Sequence, residues 1–99
     1  MYNGQFLELG GEKIEQQILA MPESFNSMDF YSQFEQNYPK LYDQFILMYM
    51  SKGHDRPHAV QIVHTQLMHT VNDRYHHLAR KVRTIPNPKG GQMSEWSRV

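Results

Sequence analysis

The sequence predicts an α+β, mostly helical domain in which a bundle of three to four helices precedes a C-terminal β-hairpin. Two observations lead to this fold class. Apolar residues recur at helical spacing through most of the chain, whereas the segment after residue 80 alternates polar with apolar or β-branched residues around a Pro- and Gly-rich stretch. We therefore expect one small domain at residues 12–99, preceded by a glycine-containing flexible leader at residues 1–11.

The first two helices are predicted from apolar spacing and from stop signals. The first ends before Pro22. The second covers residues 27–37, with Ser27 as the expected N-cap and Asp29 in the first turn, where a carboxylate stabilises the positive end of the helix dipole. Phe25 is expected to stand alone in a polar linker between these helices.

Two further helices follow, separated by a polar loop. Pro39 is tolerated at a first helical position and allows a third helix over residues 40–50. Asp55 and Pro57 are start signals for the fourth helix, which we expect to run to Val71 or beyond. Helical spacing gives it a buried stripe, Val60, Val63, Leu67 and Val71, and an opposite polar side, His58, Gln61, Thr65 and His69.

The C-terminal hairpin is predicted from alternation and from turn residues. Residues 81–85 alternate basic with apolar or β-branched side chains, and residues 86–92 are rich in Pro, Asn and Gly. Residues 93–99 alternate again through Trp96. We expect two antiparallel strands within residues 81–98.

Several segments, taken in order, carry a resemblance to one known family. They are a first helix with Ile14, Ile18 and Met21, a helix entry over residues 25–30, the stripe Val60, Val63 and Leu67, and residues 82–91 leading to Ser94, Glu95 and Trp96. This order resembles the winged helix-turn-helix domain and covers residues 12–99. The chain departs from that pattern in its extra segment at residues 39–50 and in the few Arg and Lys residues on the fourth helix. The resemblance implies a winged-helix-like bundle whose fourth helix enters a major groove of DNA, with the hairpin as a wing beside it.

The formal net charge is zero, but the charge is distributed asymmetrically. Residues 1–50 hold two basic and seven acidic residues, a net charge of −5, while residues 51–99 hold eight basic and three acidic residues, a net charge of +5, and all six histidines. Such asymmetry is typical of proteins with a charged partner, although the two halves could also neutralise each other within the fold. Zero net charge therefore excludes a uniformly basic binder but allows a molecule with one basic face.

The fourth helix and the hairpin supply the candidate nucleic-acid-binding residues. Gln61 is able to form a bidentate pair with adenine, and Arg56 lies at a helix start, where backbone amides attract phosphate. The basic residues of the hairpin would add a salt-sensitive attraction to phosphates. The predicted DNA-binding set is Arg56, His58, Gln61, Thr65, His69, Lys81, Arg83, Lys89 and Arg98.

Neither a metal site nor a catalytic site is predicted. Imidazoles that bind one zinc ion must converge on bonds of about 2 Å, whereas His58 and His69 lie about 16 Å apart along a helix. The sequence has no cysteine, no HExxH pattern, no P-loop and no G-x-S-x-G motif. We expect no cofactor and no enzymatic activity. We expect His64, beside the apolar stripe, to be partly buried and hydrogen-bonded.

These observations predict a small cytoplasmic DNA-binding protein that regulates transcription through residues 56–71 and 81–98. The absence of cysteine favours the cytoplasm, and no apolar run approaches the roughly 20 residues of a membrane span, so we expect no membrane partner. An alternative is a protein-interaction module or inhibitor that uses Asp29, Glu35 and Asp43 beside aromatic residues. A homodimer formed through surface tyrosines and methionines is a third alternative.

Overall fold

Four helices and a three-stranded antiparallel sheet make up the computed structural model, which describes the backbone of residues 2–99 and the side chains of residues 9–99. The helices are α1 (Tyr2–Ala20), α2 (Ser27–Asn37), α3 (Pro39–Met50) and α4 (Arg56–Arg74). The strands are β1 (Ser24–Asn26), β2 (Ala79–Pro86) and β3 (Gln92–Arg98). The predicted α+β, mostly helical class and the C-terminal hairpin are confirmed. Among the described residues, no helix combines the length and the apolar character needed to cross a membrane.

One apolar core joins all four helices to the inner face of the sheet. Its fully buried members include Ile14, Ile18, Phe30, Phe34, Phe45 and Ile46. On α4, the predicted stripe is confirmed for Val63, Leu67 and Val71, which have no exposed surface. Val60 is only half-buried, and Ala59 takes its place in the core. The opposite side of α4 is thereby left at the surface.

A short strand that the sequence did not predict, β1, connects the helices to the hairpin. Phe25, expected in a linker, pairs with Trp96 of β3, and the strand order is β1-β3-β2. Both side chains are buried, so the sheet presents an apolar face to the helices. The alternation that identifies a strand needs at least four residues, and β1 has three.

The N-cap of α2 lies one residue earlier than predicted. The Asn26 side chain accepts a hydrogen bond from the Asp29 backbone N–H at 2.7 Å, and the Asp29 carboxylate accepts one from the Asn26 N–H at 3.2 Å. This reciprocal capping box satisfies two backbone donors at the helix start. Ser27, the predicted cap, is buried instead, and its hydroxyl oxygen accepts a hydrogen bond from the indole N–H of Trp96 at 3.0 Å.

The expected flexible leader is helical in its described part and belongs to α1. The helix runs from Tyr2 with one non-helical residue, Gly10 (φ −155°, ψ 19°), and both Gly10 and Gly11 are buried. A β-carbon at Gly10 would lie 2.6 Å from the Leu41 side chain, so glycine here permits a close approach between α1 and α3. The glycines that predicted a flexible leader are therefore part of a packed helix, and Gly10 serves its packing. Met1 lies outside the described residues.

We expect Ser27→Ala to lower the free energy of unfolding by about 1–3 kcal/mol. The substitution leaves the buried indole N–H of Trp96 without its acceptor and removes the hydroxyl contacts to the Ser94 main chain, both at 3.3 Å. Urea denaturation, followed by fluorescence of the single tryptophan, measures the loss. Ser32→Ala, on the same helix but outside this cluster, is the control. Equal losses in the two variants would contradict the structural role of Ser27.

Candidate nucleic-acid interface

A groove of about 730 Å³ separates α4 from the β2–β3 hairpin, and we call it the α4–hairpin groove. One wall is formed by α4, the other by the hairpin and its turn, and α2 contributes Ser27 and Tyr31 between them. The residues that α4 contributes are Gln61, His64, Thr65, Met68, His69 and Asn72. This polar side of α4 is at the surface because the apolar stripe holds the other side against the core.

The charge of the α4–hairpin groove is positive although the whole chain is neutral. Lys81 and Lys89 line the hairpin wall, and no aspartate or glutamate is among the described residues that line the groove. Glu95, which lies between the lining residues Ser94 and Trp96, pairs with Arg83 at 2.7 Å, and the Asp29 carboxylate accepts a hydrogen bond from the Asn26 backbone N–H at 3.2 Å. A concave surface lined by one sign of charge attracts ligands of the opposite sign.

The groove brings together five of the residues predicted to bind DNA, namely Gln61, Thr65, His69, Lys81 and Lys89. Lys81 pairs with Trp96 across β2 and β3, and side chains at paired positions point to the same face of a sheet. Lys89 lies in the hairpin turn, where its backbone N–H donates to the Asn87 side chain at 2.9 Å. Positive φ angles at Gly90 and Gly91 close this turn.

Arg83 and Arg98 do not line the groove. An extra residue in β2 between Lys81 and Arg83 forms a β-bulge, so that Arg83 pairs with Glu95 on the face opposite Trp96. In a regular strand, residues 81 and 83 would have shared one face. The guanidinium of Arg98 donates to the Leu19 carbonyl oxygen at 2.7 Å, near the C-terminal end of α1. Both arginines therefore have partners within the fold and lie outside the groove.

Arg56 and His58 lie at the start of α4, outside the groove. Arg56 forms an exposed ion pair with Asp43 of α3 at 3.4 Å. The His58 ring packs edge-on against His54, with the ring centroids 4.9 Å apart, and borders a shallow depression of about 270 Å³ beside the groove. In the part of the chain that the structure describes, no cluster of three or more His, Asp or Glu residues is arranged to hold a metal ion.

Two of the groove residues outside the predicted DNA-binding set, Asn72 and Tyr31, were not predicted for different reasons. Asn72 falls between Gln61 and Thr65 on the helical wheel, so extending the wheel beyond Val71 would have identified it. Tyr31 belongs to α2 and reaches the groove only through tertiary packing. No local pattern in the sequence could have revealed it.

His64 is held between two tyrosines at the edge of the groove, which confirms the prediction of a partly buried, hydrogen-bonded histidine. Its ring stacks on Tyr31, with the centroids 3.7 Å apart and the planes within 6°, and its Nε2 lies 2.6 Å from the Tyr42 hydroxyl. Burial lowers the pKa of His64 to about 4. Burial, with the charge of Glu35 as a smaller cause, raises the pKa of Tyr42 to about 12. Both side chains are therefore neutral at pH 7.

We expect His64 to make the protein less stable as the pH falls from about 6.5 towards 4. The unfolded chain protonates this imidazole near pH 6.5, whereas the folded protein does so only near pH 4, so the unfolded state binds more protons in this interval. In the His64→Phe variant, the loss of unfolding free energy between pH 7 and pH 5 should shrink by roughly 1–2 kcal/mol, after allowance for the partial exposure of the ring. Urea denaturation at both pH values measures this difference.

The control for the pH experiment is His77→Phe, which replaces an exposed histidine outside the groove. This variant should keep the pH dependence of the original protein. A pH dependence that is the same in all three proteins would contradict a depressed pKa at His64.

Comparisons with protein families, with characterised proteins and with solved structures find no match to this chain. The functional assignment therefore depends on the geometry and charge of the α4–hairpin groove. Of the surfaces described, this groove collects the largest share of the residues predicted to bind DNA.

Proposed function

We propose that this chain is a small DNA-binding domain of the winged-helix type and that nucleic acid binds in the α4–hairpin groove. The observation that carries the proposal is the charge of the groove, which has lysines on the hairpin wall and no carboxylate among its described lining residues. The phosphate backbone is a dense array of negative charge, and lysines that neutralise phosphates release bound counterions. A groove of this kind suits a polyanion better than it suits a neutral or cationic partner.

The two walls of the groove have different roles in binding. Lys81 and Lys89 on the hairpin contact phosphates and position the nucleic acid, because such contacts carry no sequence information. Gln61, Thr65 and Asn72 on α4 offer uncharged donors and acceptors to base edges. Gln and Asn side chains pair with the N6 and N7 atoms of adenine. We therefore propose adenine-containing sites as the preferred targets.

Two features of the fold support a winged-helix arrangement. The hairpin follows α4 directly and lies beside it, and β1 anchors the hairpin to the helical layer. The extra helix α3, a departure from the family pattern, packs Phe45 and Ile46 into the core and leaves the polar side of α4 at the surface. The proposal includes the cytoplasmic location and the role in transcription regulation that the sequence predicts.

The alternative of an acidic, aromatic protein-binding surface has less support. Asp29 caps α2 and Asp43 pairs with Arg56, so both carboxylates have partners within the fold. Most aromatic residues beside them are in the core, including Phe30, Phe34, Tyr42 and Phe45. For the homodimer, no tyrosine or methionine among residues 9–99 is fully exposed. These side chains stabilise the fold, which favours the groove as the binding surface.

We expect Lys81→Ala/Lys89→Ala to weaken DNA binding and to flatten its salt dependence. Each lysine–phosphate contact that is removed lowers the magnitude of the slope of log affinity against log salt by about 0.7–0.9. The slope of the double variant should therefore be smaller in magnitude by about 1.4–1.8. Fluorescence anisotropy with labelled random-sequence DNA, in duplex and single-stranded form, over a salt series measures the slope. The charge-matched control is Lys13→Ala/Lys40→Ala, on α1 and α3 outside the groove.

The control variant should retain the slope and affinity of the original protein. Three results would contradict the proposal: an affinity no tighter than millimolar at low salt for both forms of DNA, an affinity insensitive to salt, or equal slopes in the two double variants.

A further inference from the structure

The α4–hairpin groove also contains aromatic and sulfur-containing side chains, which come from both walls and from α2. Tyr31, His64, Met68, Met93 and Trp96 all line the groove. A surface that bound only phosphates would need none of them. Aromatic rings and thioether groups instead suit a flat, polarisable ligand such as a nucleobase.

Contacts within the fold hold Tyr31, His64 and Trp96 in place. The Tyr31 ring lies flat on His64, and the Tyr42 hydroxyl holds His64 at 2.6 Å. Trp96 is 2% exposed and is held by Ser27 through its indole N–H at 3.0 Å. Tyr31 is only half-buried, so part of this side chain is accessible from the groove. Side chains already fixed in place lose little conformational entropy on binding.

The groove offers three kinds of surface that match the groups of an unpaired nucleotide. Lys81 and Lys89 on the hairpin wall suit phosphates, the Tyr31 ring suits the face of a base, and the amides of Gln61 and Asn72 on α4 suit its edge. A duplex keeps its base faces stacked on one another and offers proteins only the edges in its grooves. An unpaired base can therefore stack on the aromatic surface, whereas a base within a duplex cannot. The volume of about 730 Å³ lies within the range of small-ligand pockets.

We propose that the α4–hairpin groove accepts an unpaired base against Tyr31, and that this protein consequently prefers single-stranded to duplex nucleic acid. The inference rests on the proposed function and specifies its substrate class. Single-strand binders commonly combine a positively charged groove with aromatic side chains on which bases stack. In this groove the lysines supply the first element and Tyr31 the second.

The test compares one random sequence as a labelled single strand and as a duplex, by fluorescence anisotropy at the same salt concentration. We expect the single strand to bind at least about tenfold more tightly. Loss of one stacked base should cost about 5- to 150-fold in affinity, so Tyr31→Ala should weaken single-strand binding by that factor and leave duplex binding nearly unchanged. Tyr31→Phe, which keeps the ring, should bind like the original protein.

A second measurement uses the unaltered protein and does not depend on the folding of a variant. A single strand that contains 5-bromouracil is photo-cross-linked to the protein, and the attached peptides are identified by mass spectrometry. We expect adducts on the peptides that contain Tyr31, Met68 or Met93. Adducts confined to peptides outside the groove would overturn the inference.

The possible outcomes separate this inference from the proposed function. Duplex binding as tight as single-strand binding, or tighter, overturns the preference and leaves DNA binding in place. A single-strand preference that survives Tyr31→Ala overturns the role of the aromatic surface. Failure of both forms to bind at low salt overturns the inference together with the proposed function.

Discussion

The arrangement of this protein depends on the burial of Trp96 in the centre of the sheet. Trp96 pairs with Phe25 of β1 on one side and with Lys81 of β2 on the other, and its indole N–H donates to Ser27 of α2. These contacts fasten a hairpin, which would be only marginally stable by itself, to the helical core. Trp96 also lines the α4–hairpin groove, so the residue that anchors the hairpin is part of the candidate site.

A single inserted residue in β2 determines which basic side chains line the groove. Strict alternation would place residues 81 and 83 on the same face, but the bulge between them sends Arg83 to the outer face, where Glu95 accepts its hydrogen bond. Lys81 keeps its place beside Trp96. The resulting groove is modestly rather than strongly cationic, with uncharged amides opposite the lysines and aromatic rings from both walls and from α2. Recognition would depend on base contacts to a greater degree than in a strongly basic binder.

The charge asymmetry of the chain is only partly cancelled within the fold. Arg56 pairs with Asp43 across the two halves, whereas Arg83 pairs with Glu95, a neighbour in the same hairpin. Lys81 and Lys89 line the groove without a carboxylate among its described lining residues. A neutral protein can therefore carry one positively charged surface. Net charge by itself therefore does not describe the charge of the individual surfaces of a small domain.

The sequence by itself determined the helices α2, α3 and α4, the buried stripe of Val63, Leu67 and Val71, and the hairpin, because periodicity, capping residues and turn residues act over a few neighbouring positions. It also determined the polar side of α4, since a helix with one buried side must expose the other. Only the tertiary structure decided the pairing of β1 with β3, the packing of Gly10 against Leu41, the bulge in β2 and the entry of Tyr31 into the groove. These four features depend on contacts between residues that are distant in sequence or on a one-residue shift in strand register. Neither distant contacts nor a register shift can be recognised from the spacing of neighbouring residues.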